Sequence, residues 1–105
     1  MKRICFVLNV NPANLDEYRR RHAAVWPEMR QALSDTGWKD YSLFLRPDGL
    51  LIGYLVCEDF EKAIADMKAL PINRQWQDYM APLFEGLEAH PDDGMTPLEE
   101  VFHLD

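Results

Sequence analysis

Leu15-Asp16-Glu17-Tyr18-Arg19-Arg20-Arg21-His22-Ala23-Ala24-Val25-Trp26-Pro27-Glu28 is the stretch on which the fold turns. Leu15, Tyr18, His22, Val25, Trp26, Met29 and Leu33 recur at i, i+3, i+4, i+7, which predicts a helix with one apolar face. Arg19, Arg20 and Arg21 fall mostly on the opposite side, toward water. The helix cannot pass straight through Pro27. Proline has no N–H, and its ring meets the carbonyl of Ala23, so a kink or break is expected at Trp26. A second segment then runs to Gly37, a helix stop. A histidine one turn from a tyrosine on an apolar face is unusual, because each buried polar group needs a partner. The plainest reading of that spacing is a core histidine bonded to a backbone carbonyl.

Working outward, residues 3–10 place Ile4, Phe6, Leu8 and Val10 on one face and Cys5, Val7 and Asn9 on the other. Both faces are largely apolar, as in a strand covered on both sides. Asn11-Pro12 ends it, and Asn14 with Glu17 three residues on reads as a capping box. Residues 41–46 and 50–57 form a hairpin about Arg46-Pro47-Asp48-Gly49. Helical spacing resumes with Phe60, Ala63, Ile64 and Met67. After a break at Leu70-Pro71 it continues with Ile72, Trp76, Tyr79, Met80 and Leu83, and Pro82 closes it. Residues 85–97 show no periodicity and read as a loop or lid, with His90 solvated in it. Residues 101–104 form a last short strand.

Strand, helix, strand, strand, helix, strand is the α+β order of the ferredoxin-like split βαβ fold, with residues 1–105 as a single domain. The helices cover one face of the sheet. The other face is expected to carry Val7, Tyr41, Leu43 and Leu45, too much apolar surface to leave in water. A second copy packed sheet to sheet would cover it, which predicts a homodimer: a dimeric α/β barrel with a pocket between each sheet and its helices or loops.

The 105 residues carry a formal charge of −7, with three Trp, four Tyr and five Phe. The aromatic content excludes a disordered chain. The acidity speaks against nucleic acid or an anionic membrane as partner. No segment approaches the length of a bilayer span. The opening apolar run is cut by Asn9, Asn11 and Pro12, so it does not read as a signal peptide. Cys5 and Cys57 lie far apart, without metal-ligand spacing, and read as small hydrophobes of a reducing, cytoplasmic compartment.

No zinc, phosphate-loop, dinucleotide or nucleophile-elbow pattern is present, so neither metal nor cofactor is expected. What remains is one histidine ringed by Tyr18, Trp26, Tyr41 and Trp76. Such rings offer flat apolar faces and polar edges, which suits a sugar. Histidine exchanges protons near neutral pH.

The chain resembles the L-rhamnose mutarotase family. The likeness is carried by Phe6-Val7-Leu8-Asn9-Val10-Asn11-Pro12, by Glu17 to His22 with Val25-Trp26-Pro27-Glu28, and by Tyr41-Ser42-Leu43-Phe44-Leu45. Arg74-Gln75-Trp76 and Glu100-Val101-Phe102-His103-Leu104 complete it. The resemblance implies interconversion of the α and β anomers of L-rhamnose. His22 would be the proton donor, and Tyr18, Tyr41, Trp76 and the residue after it would contact the sugar. Members commonly carry a second tryptophan where this chain has Gln77, which bears on which 6-deoxy or other hexose is taken. The base is open among a tyrosine, a carboxylate and a bound water. Haem-degrading or cofactor-free monooxygenases share the dimeric α/β-barrel fold and stand as the alternative. A small-molecule sensing domain is a third reading.

Overall fold

The computed structural model describes residues 1–86 and 90–105. Strand β1, Lys2–Asn9, leads through a 3-10 turn at Pro12–Asn14 into helix α1, Leu15–His22. Pro27 breaks the helical stretch outright: α2, Pro27–Asp35, begins on the proline, and Ala23 to Trp26 link the two helices. The expected capping box does not form. Asn14 makes no side-chain cap; Asn11 instead accepts the Ala13 N–H at 2.9 Å, and Glu17 is drawn away by Arg20 and Arg21. A charged pair on adjacent helical turns outcompetes the reach back to the cap.

The hairpin forms as expected from β2, Lys39–Leu45, and β3, Leu50–Cys57. Gly49 ends its turn at φ +99°, and a Cβ there would lie 2.1 Å from the Val10 carbonyl oxygen. That carbonyl belongs to the residue whose own N–H donates to Gly49 O at 2.8 Å, so the turn is bound to the end of β1. Helix α3, Phe60–Lys68, is capped by Asp59, whose side chain accepts from the Lys62 N–H at 3.1 Å. Helix α4, Pro71–Met80, starts on Pro71, and a 3-10 turn at Ala81–Leu83 follows it.

The sheet runs β2-β3-β1-β4, all antiparallel, which is the ferredoxin-like order. Two expectations are corrected here. The last strand, β4, is Thr96–Pro97, which pairs with Val7 and Phe6. Val101, Phe102 and Leu104 form no strand and are 85%, 79% and 79% exposed, because the chain has left the β1 edge after Glu100 pairs with Arg3. Strand propensity without ladder bonds to a neighbour does not make a strand.

The second correction concerns the sheet faces. Phe6 and Leu43 both stand opposite Gly53, so Phe6, Gly53 and Leu43 form one cross-strand row on the helix side. Tyr41, Leu43 and Leu45 therefore join the core rather than the open face. The open face carries the next row, Val7, Ile52 and Phe44, with Cys5, Tyr54 and Val56 beside it. It is still apolar, and Phe44 is 62% exposed.

On the helix side Phe6, Leu51, Leu55, Val10, Cys57 and Met80 are sealed from solvent. Phe6 stacks on Phe60 with centroids 6.1 Å apart and lies 6.3 Å from the tilted ring of Tyr41. It is able to do so because Gly53 has no side chain; a Cβ there would lie 2.2 Å from Phe6 Cζ.

Candidate active site

Between the sheet and α1, α2 and α4 lies a cavity of about 720 Å³, within the range typical of small-molecule sites. The residue that ends α1, His22, opens onto it. Tyr41 and Leu43 of β2 line its sheet side, and Trp76 and Gln77 of α4 line another wall. A smaller chamber of about 50 Å³ shares His22, Tyr41, Trp76 and Gln77 and adds Tyr18. Of the six residues singled out from sequence, His22, Tyr41, Trp76 and Gln77 line both volumes, and Tyr18 lines the smaller chamber alone. The sixth, Trp26, lines neither volume. It stands edge-on behind Trp76 at 5.0 Å and stacks on Tyr79 at 5.4 Å, supporting the wall from outside.

The His22 ring stacks on Tyr18 at 4.3 Å and meets Trp76 edge-on at 5.5 Å. Its Nδ1 lies 3.3 Å from the Tyr18 carbonyl oxygen. A carbonyl only accepts, so Nδ1 carries the proton in this contact. Among the described residues Nε2 has no hydrogen-bond partner. Burial lowers the His22 pKa below the ordinary histidine value, and the bond to Tyr18 opposes this in part. The ring thus has both features weighed from sequence, a backbone partner and a place on a cavity.

Burial raises both phenols well above their ordinary range, Tyr18 further pushed by Tyr41 and Tyr41 by burial alone. Both remain neutral hydroxyls at neutral pH.

On α4 the buried face is Asn73, Trp76, Gln77 and Met80, while Tyr79 is 37% exposed. The helix is rotated from the expected apolar face because two amides are buried with partners. Gln77 Nε2 donates to Asn73 Oδ1 at 3.2 Å, Asn73 Nδ2 donates to Asp92 Oδ2 at 3.1 Å, and the Asp92 N–H donates to Gln77 Oε1 at 3.2 Å. This closed set of bonds holds a 3-10 turn, Pro91–Asp93, against α4, and Lys68 of α3 pairs with Asp93. Part of the 85–97 stretch is therefore built structure. The expectation of a lid rests in part on 87–89, which lie outside the described residues. His90 bonds Asp78 at 2.5 Å on the surface.

Arg21 is not simply solvated. Its guanidinium lies 4.0 Å over the Tyr79 ring and donates to the Tyr79 carbonyl, fastening α1 to α4 beside the cavity. Asn73 and Asp92 were missed from sequence. A polar residue on an amphipathic helix and one acid among eighteen carry no local mark of burial.

Fold and cavity together define a class: a small ferredoxin-like domain that presents a histidine in an aromatic pocket. The family model for L-rhamnose mutarotase matches residues 3–104. The L-rhamnose mutarotase of Phocaeicola vulgatus is 40% identical over 107 residues and covers the whole of both chains. That of Oceanobacillus iheyensis is 40% identical over 108 residues, also over the whole of both. The crystal structure of L-rhamnose mutarotase from Formosa agariphila superposes with a TM-score of 0.81 at 29% identity and full coverage of both chains. The chain belongs to the L-rhamnose mutarotase family. These relatives favour the mutarotase reading over the monooxygenase one.

Proposed function

We infer that this protein is an isomerase that interconverts the α and β anomers of L-rhamnose or a close hexose. The observation that carries the reading is His22, at the end of α1, opening with Nε2 unengaged among the described residues onto a cavity walled by Tyr41 and Trp76. Mutarotation needs a proton delivered to the ring oxygen, one removed from the anomeric hydroxyl, rotation about one bond, and reclosure. His22 is the donor. Tyr18 and Tyr41, held neutral, serve as hydrogen-bonding hydroxyls, and the Trp76 face supports the apolar side of the sugar. Gln77, whose amide is engaged by Asn73 and Asp92, adjusts the wall against which the sugar sits. Trp26 acts through Trp76.

The test is saturation-difference NMR of anomeric exchange with L-rhamnose, L-fucose, L-mannose and D-ribose. L-rhamnose is expected to be accelerated most. No acceleration of any of them would overturn the reading.

The working form is a homodimer in the cytoplasm. The open row Val7, Ile52 and Phe44, with Cys5, Tyr54 and Val56, supports a sheet-to-sheet contact, and the exposed Val101, Phe102 and Leu104 add apolar surface. Such an interface is expected to bury on the order of 1,000–2,000 Å² or more. Free Cys5 and Cys57 fit a reducing compartment. No helix among the described residues is long and apolar enough to cross a membrane. Light scattering should give twice the 12.3 kDa chain mass at micromolar concentration; a stable monomer there would defeat the dimer.

A further inference from the structure

Three consecutive arginines stand on α1, and the helical turn sends them in different directions. Arg19 and Arg20 pair with Asp16 and Glu17 one turn back, and their side chains are 56% and 69% exposed. The Arg21 side chain is 20% exposed, because it turns toward α4. Its Nε donates to Glu17 Oε2 at 2.6 Å, its Nη1 donates to the Tyr79 carbonyl, and its guanidinium carbon lies 4.0 Å from the centre of the Tyr79 ring. A solvated ion pair would need only the first of these contacts. Tyr79 is in the last turn of α4, where carbonyls run out of helical partners and the helix dipole favours a cation.

The chain neighbours of Arg21 and Tyr79 are two residues of the cavity wall. His22 follows Arg21 on α1, and Trp76 lies one turn before Tyr79 on α4. The Tyr79 ring is 5.7 Å from that of Trp76, and Trp76 meets His22 edge-on at 5.5 Å. A closed circuit therefore runs from Arg21 through Tyr79 and Trp76 to His22 and back along α1. The backbones of α1 and α4 scarcely approach one another, so side chains set their spacing. The Tyr18 carbonyl orients the His22 ring within α1, but that bond does not fix α1 against the Trp76 wall.

We propose that Arg21 is a positioning residue for the anomeric exchange: by clamping the end of α4 it fixes where His22 stands relative to Trp76, and so where the proton donor stands relative to the sugar lying on that wall. The proposal rests on the sugar-site reading given above. Arg21 touches no reacting atom and acts through its two neighbours. Proton transfer needs donor and acceptor within hydrogen-bond reach, so a small shift of α1 against α4 slows the reaction more than it weakens binding. Lysine does not replace the clamp. An ammonium has neither a flat face for the ring nor a fork that reaches Glu17 and the carbonyl together.

The test follows anomeric exchange by NMR over a range of L-rhamnose concentrations, sugar affinity by tryptophan fluorescence, and the folded fraction by urea titration. Arg21→Met and Arg21→Lys are each expected to lower turnover at saturating sugar about 10–10²-fold per folded molecule, with affinity within a few-fold. Arg19→Met removes the same charge from the same helix and should turn over as wild type. Tyr79→Leu removes the ring, and joined to Arg21→Met it should cost little beyond either change alone. Wild-type turnover per folded molecule in Arg21→Met, even at a lower urea midpoint, would overturn the proposal and leave Arg21 a structural tie. Full rescue by lysine, or full additivity with Tyr79→Leu, would overturn it as well. Should Arg21→Met not fold, Tyr79→Leu decides: slowed turnover supports the clamp and wild-type turnover overturns it. Failure of the sugar-site reading is distinct, since the wild-type protein itself would then accelerate no sugar.

Discussion

His22→Asn is expected to slow anomeric exchange by about 10²–10⁴-fold while sugar affinity stays within a few-fold of wild type. Asparagine preserves a donor near the Tyr18 carbonyl and some of the ring's volume, but it does not cycle a proton near neutral pH. The substitution therefore separates the two roles the geometry gives this residue. A catalytic histidine leaves a folded protein that binds sugar and exchanges it slowly. A structural histidine leaves a weakened protein whose folded fraction exchanges at the wild-type rate, and that result would sink the assignment. Stability gives a second readout. Burial lowers the folded-state pKa of His22, so the unfolded chain binds the proton more tightly. Wild-type stability should fall as pH drops below about 6.5, the unfolded value. The His22→Asn variant should lack that contribution, which urea titrations at stepped pH would show.

Phe6→Ala is expected to cost about 3–5 kcal/mol, a large part of the total stability of a domain this size. Phe6 is fully buried, stacked on Phe60, tilted against Tyr41 and seated on Gly53. Removing the ring leaves a hole that the glycine cannot fill and withdraws the support behind Tyr41. Urea unfolding should show a lower midpoint at unchanged slope, and sugar affinity in the folded fraction should drop as Tyr41 relaxes. A loss below about 1 kcal/mol would mean that the neighbours collapse into the space and that Phe6 does not hold Tyr41 in place.

The parts legible in the sequence were those set by local chemistry. Pro27 and Pro71 each start a helix, and Pro47-Asp48-Gly49 turns the hairpin, because proline and glycine restrict the backbone wherever they stand. The sharing of one face by Tyr41, Leu43 and Leu45 was equally plain, but which face was not. Strands that are apolar on both sides give no parity signal, and Leu43 is assigned only through its pairing with Gly53. The last strand was misplaced because Val101-Phe102-His103-Leu104 has the composition of a strand, while the chain's backbone bonding to β1 ends with Leu98 N–H donating to the Cys5 carbonyl. Around the cavity, aromatic and imidazole side chains announced themselves by type. Asn73 and Asp92 did not, since their burial follows from contacts between segments nineteen residues apart, as in the Asn73–Asp92 bond itself.

That bond has a consequence for how the molecule fails under heat. Most of the cavity wall stands on helices or long strands, but Asp92 stands on a single turn beside a two-residue strand. Short segments held by a few polar bonds open at lower free energy than the core they lean on. The turn can therefore detach while the sheet and helices α1 to α4 persist. Opening of that part of the cavity wall and loss of the overall shape become two separate events in this protein, and the first comes at the lower temperature.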